Sequence, residues 1–265
     1  TQGVPPPTVE CHGSLQFGNR RFRDWKKQGH GHVDFHRSLV ESCDVYYYQM
    51  GSRVGIDAIA QFSNYLGLGV PTGIRLPGEK PGLIPSTEWK QRRLGEPWYP
   101  GETLSVAIGQ GYVLVTPMQM AVMMSAVAND GTLYPPKLIL KSQDPQTGIA
   151  SVVADEKEKQ VPILKETLTT IKKALADVVV RGTAAGARSK LVSFAGKTGT
   201  AQVIEMKQGE KRGNLPKHLD DHAWFVSYAP VDDPKIAVVV LVEHGGHGGS
   251  AAAPLAKKVI EAYLV

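Results

Sequence analysis

The sequence predicts an α+β fold, an antiparallel sheet covered by helices. Three observations carry this reading. Apolar runs at 223–229 and 236–243 are joined only by a turn at Asp232-Asp233-Pro234, a hairpin-type link that demands antiparallel pairing. Residues 165–180 place Leu168, Ile171, Leu175 and Val178 on one helical stripe. Pro254 opens a last helix, expected to turn Leu255, Val259, Ile260 and Tyr263 inward.

The elements follow in order along one expected domain, 1–265. Residues 5–36 are rich in Gly, His and Arg and read as a loop-rich N-terminal part with short strands. A helix over 37–50 is expected to carry Ser42 near its start. A second helix begins at Asp57, with Ile56, Ile59, Ala60, Phe62 and Leu66 as its apolar face and Gly67 as its stop. Residues 68–110 hold Pro71, Pro77, Pro81, Pro85, Pro97 and Pro100 and read as an irregular insertion or cleft wall. Thr116-Pro117 is a helix start, with Thr as N-cap and Pro in the first turn. That helix is apolar on nearly every side through Ala128 and should be buried. Residues 136–162 suggest a hairpin turning at Asp144-Pro145-Gln146-Thr147-Gly148. An apolar run at 191–196 leads through Lys197-Thr198-Gly199-Thr200 into a strand at 201–204, followed by a polar excursion from Lys207 to Asp221.

Composition narrows the function classes. With 42% hydrophobic and 21% charged residues, the chain has the balance of a globular domain able to bury a core. The longest strongly apolar run, 237–242, is far too short to span a bilayer. A net charge of +5 is mild. Its basic residues are scattered except at Arg20-Arg21-Phe22-Arg23 and Lys211-Arg212, with no recognition helix or aromatic platform beside them, so no nucleic-acid partner is expected.

The chemistry concentrates in two segments. Lys197-Thr198-Gly199-Thr200 sets an ammonium, two hydroxyls and a glycine along one strand edge. The ammonium and hydroxyls can hold a carboxylate, and Gly199 lets a substrate backbone lie close. A backbone N–H beside Thr200 can stabilise an oxyanion. The second segment is Ser42-Cys43-Asp44, where Ser42 can relay a proton. Taken alone, Ser42 and Asp44 could equally cap a helix entering Val45-Tyr46-Tyr47.

With these go Gly18-Asn19-Arg20-Arg21-Phe22-Arg23-Asp24-Trp25-Lys26-Lys27, Gly29-His30-Gly31-His32, Gly109-Gln110-Gly111, Thr116-Pro117-Met118-Gln119 and His222-Ala223-Trp224-Phe225. Jointly the set resembles the elongation-type class B penicillin-binding proteins, the penicillin-binding protein 2 kind, over nearly the whole chain. The resemblance implies the fold shared by serine β-lactamases and penicillin-binding transpeptidases. It implies a periplasmic domain of an inner-membrane-anchored protein, with anchor and pedestal lying upstream. It further implies D,D-transpeptidation of peptidoglycan stem peptides through a serine acyl-enzyme during cell elongation, acylation by β-lactams, and a membrane glycosyltransferase of the elongation complex as partner. By the same resemblance Ser42 passes a proton to the departing D-Ala amine with help from Lys197. Thr198 and Thr200 hold the terminal carboxylate, and the Thr200 N–H gives half of the oxyanion hole. Asp44 stands where the family usually has Asn, and a carboxylate only accepts hydrogen bonds where an amide also donates.

The nucleophile is the main departure. The family carries it in a Ser-x-x-Lys motif N-terminal to these elements, yet no serine here has lysine three residues on; Ser86 and Ser193 have it four on, at Lys90 and Lys197. The chain is thus expected to hold the transpeptidase fold without its nucleophile helix and to be inactive as it stands. Two rivals remain: a β-lactamase or D,D-carboxypeptidase that uses water as acceptor, and a non-catalytic penicillin- or peptide-binding or scaffold domain. Trp224 and Tyr112 are candidates for the groove, with core packing the alternative.

Both cysteines fall in the first 43 residues. Cys11, Asp24, His30 and Cys43 offer thiolate, carboxylate and imidazole, the set a structural zinc accepts, though their spacing matches no compact metal motif. A Cys11–Cys43 disulfide or two buried free thiols would also satisfy the sequence. The resemblance favours zinc, since some elongation-type members hold the metal beside this serine motif. His32 and His36 are the reserve ligands.

Overall fold

The computed structural model describes residues 7–152, 157–204 and 216–265. Lys211-Arg212 and most of the polar excursion from Lys207 lie outside the described residues.

The N-terminal part folds into two small antiparallel pairs. β1 (Val9–Cys11) pairs with β4 (Gly31–Val33), and between them β2 (Ser14–Phe17) pairs with β3 (Arg20–Arg23). Helices follow: α1 (Phe35–Glu41), α2 (Asp44–Val54), α3 (Ile56–Tyr65), α4 (Thr87–Leu94), α5 (Pro100–Ala107) and α6 (Pro117–Ala128). Short strands β5 (Thr132–Leu133) and β8 (Lys159–Gln160) pair around the hairpin of β6 (Lys141–Gln143) and β7 (Ala150–Val152). The chain then runs through α7 (Lys165–Arg181), β9 (Ala195–Ala201), β10 (His222–Ala229), β11 (Ile236–Val242) and α8 (Ala252–Leu264).

The principal sheet has the order β11-β10-β9 and is antiparallel throughout, as the hairpin links require. Alternation along β10 divides its side chains between two layers. Ala223, Phe225 and Ala229 join Ala252, Ala253, Ala256 and Ile260 of α8 in one buried cluster. Val226 and Tyr228 join Met124 and Ala128 of α6 and Leu175 of α7 in another. β9 is therefore an edge strand inside a helix–sheet–helix sandwich, with one backbone edge left for other groups.

Several expectations change. The single helix over 37–50 is two helices, because Ser42 adopts φ 55° and ψ 52° and its N–H caps α1 through Ser38 O. The capping alternative for Ser42 and Asp44 fails as well: Cys43 is the N-cap of α2, Asp44 lies within its first turn, and no side-chain cap bond forms. The 68–110 insertion contains α4 and α5. Ser86 caps α4 by accepting from Trp89 N at 3.0 Å, and Pro100 sits in the first turn of α5. In α8 only Ile260 of the four expected residues is buried; Leu255, Val259 and Tyr263 are exposed. Small side chains let that helix approach the sheet closely, so its alanines, not its larger residues, form the inner face.

The strand expected at 201–204 lies earlier, at Ala195–Ala201, and on α3 only Ile56 and Ala60 of the expected apolar face are buried while Phe62 is exposed; the remaining elements match. The cap of α6 is reciprocal, Gln119 N donating to Thr116 Oγ1 and Thr116 N to Gln119 Oε1. Leu168, Leu175 and Val178 are buried along α7, and the hairpin turns at 144–149. No helix among the described residues is long and apolar enough to cross a membrane.

Candidate active site and metal-ligand cluster

Ser42 and Lys197 meet. The Lys197 ammonium donates to Ser42 Oγ at 2.7 Å and to Thr198 O at 3.1 Å. The fold fixes both partners. Lys197 lies mid-strand opposite Val226 of β10. Ser42 closes α1, which packs on α7 through His36 Nε2–Asp177 Oδ2 at 2.8 Å, while Thr183 N donates to Val40 O at 3.3 Å. A left-handed conformation in a non-glycine residue costs on the order of 1–2 kcal/mol. At Ser42 it turns the hydroxyl out of the helix line and towards β9.

Electrostatics at this contact are opposed and balanced. Burial pushes the Lys197 ammonium down to about 8, against the Asp44 carboxylate, which favours its charged form. Burial also pushes the Asp44 carboxyl up to about 7, aided by Asp24 and opposed by the Trp25 N–H and Lys197. Asp44 Oδ2 accepts from Trp25 N at 3.0 Å, an acceptor role open to the carboxylate standing in the place of Asn. The Trp25 indole N–H bridges Glu41 O and Ser42 O at 3.1 and 3.0 Å, which fixes the backbone that presents Ser42.

The free edge of β9 faces an open cleft of about 2630 Å³ lined by Ser42, Lys197, Thr198, Gly199, Thr200 and Gln110. Thr198 Oγ1 shares a hydrogen bond with Thr183 Oγ1 at 2.7 Å. Gln110 Nε2 donates to Thr200 O at 3.0 Å. In antiparallel strands the N–H and C=O of one residue point to the same edge, and successive residues alternate. The outward-facing carbonyls of Thr198 and Thr200 therefore place their N–H groups on the cleft side too. Gly199 has a further reason to be glycine. A Cβ there would lie 3.2 Å from Trp224 Cβ, and one at Gly248 would lie 2.5 Å from Gly199 O. Of the two readings left open for Tyr112 and Trp224, packing holds, and neither lines the cleft. Tyr112 packs with Trp89 and Trp98, and Trp224 stands across the sheet register from Gly199.

Cys11, Asp24, His30 and Cys43 also converge. Their ligand atoms lie within 4.8 Å of one another, and all four residues are buried. Asp24 Oδ2 lies 3.5 Å from Cys11 Sγ and 3.4 Å from Cys43 Sγ, and His30 Nδ1 lies 3.6 Å from Cys11 Sγ. Tetrahedral zinc–ligand bonds set ligand atoms roughly 3.3–3.8 Å apart, so the cluster fits the ion. Both cysteines are free and buried. Burial holds His30 in its neutral, ligating form and pushes the Cys43 thiol up, a penalty that a bound cation reverses. His30 Nε2 is buried without a hydrogen-bond partner, 3.9 Å from Glu41 Oε2, where an outer carboxylate orients a metal-bound imidazole. The reserve ligands go elsewhere, His32 to Glu10 and His36 to Asp177.

Gln110, Trp25 and Thr183 were given no role by sequence reasoning. Gln110 had a signal in its flanking glycines, which take φ +77° and +71° and so aim the loop at β9. Trp25 and Thr183 had none, because their partners lie 17 and 15 residues away.

The family model for the penicillin binding protein transpeptidase domain matches residues 5–261. The chain is 41% identical over 263 residues to peptidoglycan D,D-transpeptidase MrdA of Haemophilus influenzae, covering 94% of this chain and 39% of that protein. It is similar to the crystal structure of Pseudomonas aeruginosa PBP2 in complex with WCK 5153, with TM-score 0.85, 34% identity and coverage of 99% of this chain and 54% of that one. It is also similar to Helicobacter pylori PBP2 in its complex with MreC, with TM-score 0.81, 29% identity and coverage of 98% and 45%.

Proposed function

The chain belongs to the penicillin-binding protein transpeptidase family, and on that footing we propose that it serves a peptidoglycan D,D-transpeptidase that cross-links stem peptides and is acylated by β-lactams. The observation that carries this reading is the 2.7 Å contact between Lys197 Nζ and Ser42 Oγ on the open edge of β9. The chain spans 39% of the length of the Haemophilus relative, and this reading draws the nucleophile from the family's Ser-x-x-Lys motif, which these 265 residues do not contain.

A Ser-x-x-Lys serine, with its lysine as base, attacks the penultimate D-Ala carbonyl of one stem peptide. The peptide C–N bond breaks, and a seryl ester forms. Ser42, hydrogen-bonded to Lys197, returns the serine's proton to the departing D-Ala amine. Thr198 and Thr200 hold the terminal carboxylate, and the Thr200 N–H stabilises the oxyanion from the cleft edge. The amine of a second stem peptide then attacks the ester, forming the cross-link and giving its proton back to the serine.

Cys11, Asp24, His30 and Cys43 hold a structural zinc in this reading. Four protein ligands would make such a site structural, and the ion would supply a rigid tie rather than chemistry. Cys43 adjoins Ser42, and Asp24 Oδ2 accepts from Val45 N at 3.2 Å, so the tie reaches the element that presents Ser42. The domain works in the periplasm as part of a membrane-anchored protein. The complex of the Helicobacter PBP2 with MreC supports a protein partner for this domain, and a membrane glycosyltransferase of the elongation complex is the partner that the family resemblance implies.

The test is covalent labelling of the protein that carries the Ser-x-x-Lys segment. Labelled penicillin should form a stoichiometric adduct, and a D-Ala–D-Ala pentapeptide with an amine acceptor should yield cross-linked product and free D-Ala. Adduct without cross-linking would support the β-lactamase or carboxypeptidase reading. No adduct would support the binding or scaffold reading.

A further inference from the structure

We infer that Gln110 is a specificity-determining residue of the cleft: its carboxamide holds the Thr200 carbonyl that a ligand's amide N–H must take, so such ligands bind by displacing it. The inference rests on the proposed docking of peptide-like ligands along β9.

The backbone alternation supplies the first step. Gln110, from outside the sheet, donates to Thr200 O, and the ammonium of Lys197 within β9 donates to Thr198 O. Thr198 and Thr200 therefore direct N–H and C=O away from β10. A peptide added to this edge pairs with those groups, its carbonyl taking an N–H and its N–H taking a carbonyl. At Thr200 the acceptor is already engaged by Gln110 Nε2 at 3.0 Å. The carboxamide stands in for a peptide amide.

The second step is the mounting of Gln110. Its backbone is fixed, with Gln110 N donating to Ser105 O at 3.0 Å and Gly109 N to Val106 O at 2.9 Å at the end of α5. α5 itself is anchored by the buried Lys90, whose ammonium donates to Glu102 Oε1 and Oε2 at 2.7 and 2.9 Å. The side chain is only half-buried, and it lines the cleft together with Thr200. A fixed backbone with a swinging carboxamide can vacate the carbonyl without moving the wall. Once displaced, the carboxamide is positioned to meet the polar atoms of the ligand that displaced it.

The experiment uses the protein carrying the Ser-x-x-Lys segment, wild type and Gln110→Ala, with matched melting temperatures. Second-order acylation rates are measured for benzylpenicillin and for its analogue methylated on the side-chain amide nitrogen. Removing a competing hydrogen bond, a net gain of about 5-fold, should raise the ratio of the first rate to the second by that factor in Gln110→Ala. If Gln110 only props β9, both rates fall together and the unchanged ratio overturns the inference. A lowered ratio overturns it too. Should wild type react with neither compound, the functional reading fails by itself. The inference is then tested by the side-chain amide NMR signal of Gln110 titrated with an N-acetylated dipeptide: a shift that its N-methyl counterpart does not produce is expected, and none overturns it.

Discussion

Gln110 of the α5–α6 connection and Thr200 of the edge strand are joined by a 3.0 Å hydrogen bond across 90 residues of sequence. With the Lys197–Ser42 contact it pins both ends of the Lys-Thr-Gly-Thr segment to the helical part of the molecule. The cleft is thus built between two fixed walls, and its chemistry depends on how those walls are held.

The pH dependence follows from Lys197. Burial lowers its ammonium to about 8, so carboxylate binding should weaken as pH rises through that value. Asp44 favours the charged lysine, so Asp44→Asn should move this alkaline limb to lower pH. The pH profile of penicillin acylation in both proteins checks this; coincident limbs would contradict the coupling. The stability contribution has the opposite sign. Between about 8 and 10.5 the unfolded lysine binds a proton that the folded one lacks, so stability from this group rises with pH there.

The metal cluster predicts close to one zinc per chain by elemental analysis of protein purified without a histidine tag. Less than roughly a tenth of an equivalent would remove the site. Cys43→Ser should lose the metal and lower the melting temperature. Chelation should do the same to wild type and leave Cys43→Ser unmoved.

Close packing behind β9 gives a third prediction. A Cβ at Gly248 would meet Trp224 O at 2.2 Å and Gly199 O at 2.5 Å, both backbone atoms. Gly248→Ala should therefore shift the edge strand, costing about 1–3 kcal/mol of stability and slowing acylation. Gly246→Ala, with no atom within 4 Å of its Cβ but φ +78°, should cost about 1–2 kcal/mol through its backbone conformation and leave acylation unchanged. Equal acylation in both variants would contradict the packing argument.

Much of this was legible in the sequence for identifiable reasons. The strand at Lys197 was readable because an apolar run leads into it, although β9 begins at Ala195 and ends at Ala201. The cap at Thr116 and the stripe on α7 are local patterns, and local patterns survive in the fold. The ligand set Cys11, Asp24, His30 and Cys43 was found through residue chemistry and resemblance, since no spacing rule joins residues 32 positions apart. The break at Ser42 was hidden because serine does not announce a left-handed conformation. Helices α4 and α5 were masked by the density of prolines around them, two of which border or open them. The inner face of α8 was misread because larger apolar residues outranked its alanines, while helix–sheet contact selects for the smaller ones.

The most direct test of the central claim is the second-order rate of penicillin acylation in the protein that carries the Ser-x-x-Lys segment, wild type against Lys197→Ala, with folding verified by circular dichroism. Removal of one preorganised polar group at a reacting centre costs about 100- to 1000-fold, and a loss of that order is the expected result. An unchanged rate in a folded Lys197→Ala protein would contradict the assignment of the Ser42–Lys197 cleft as the site of acyl transfer.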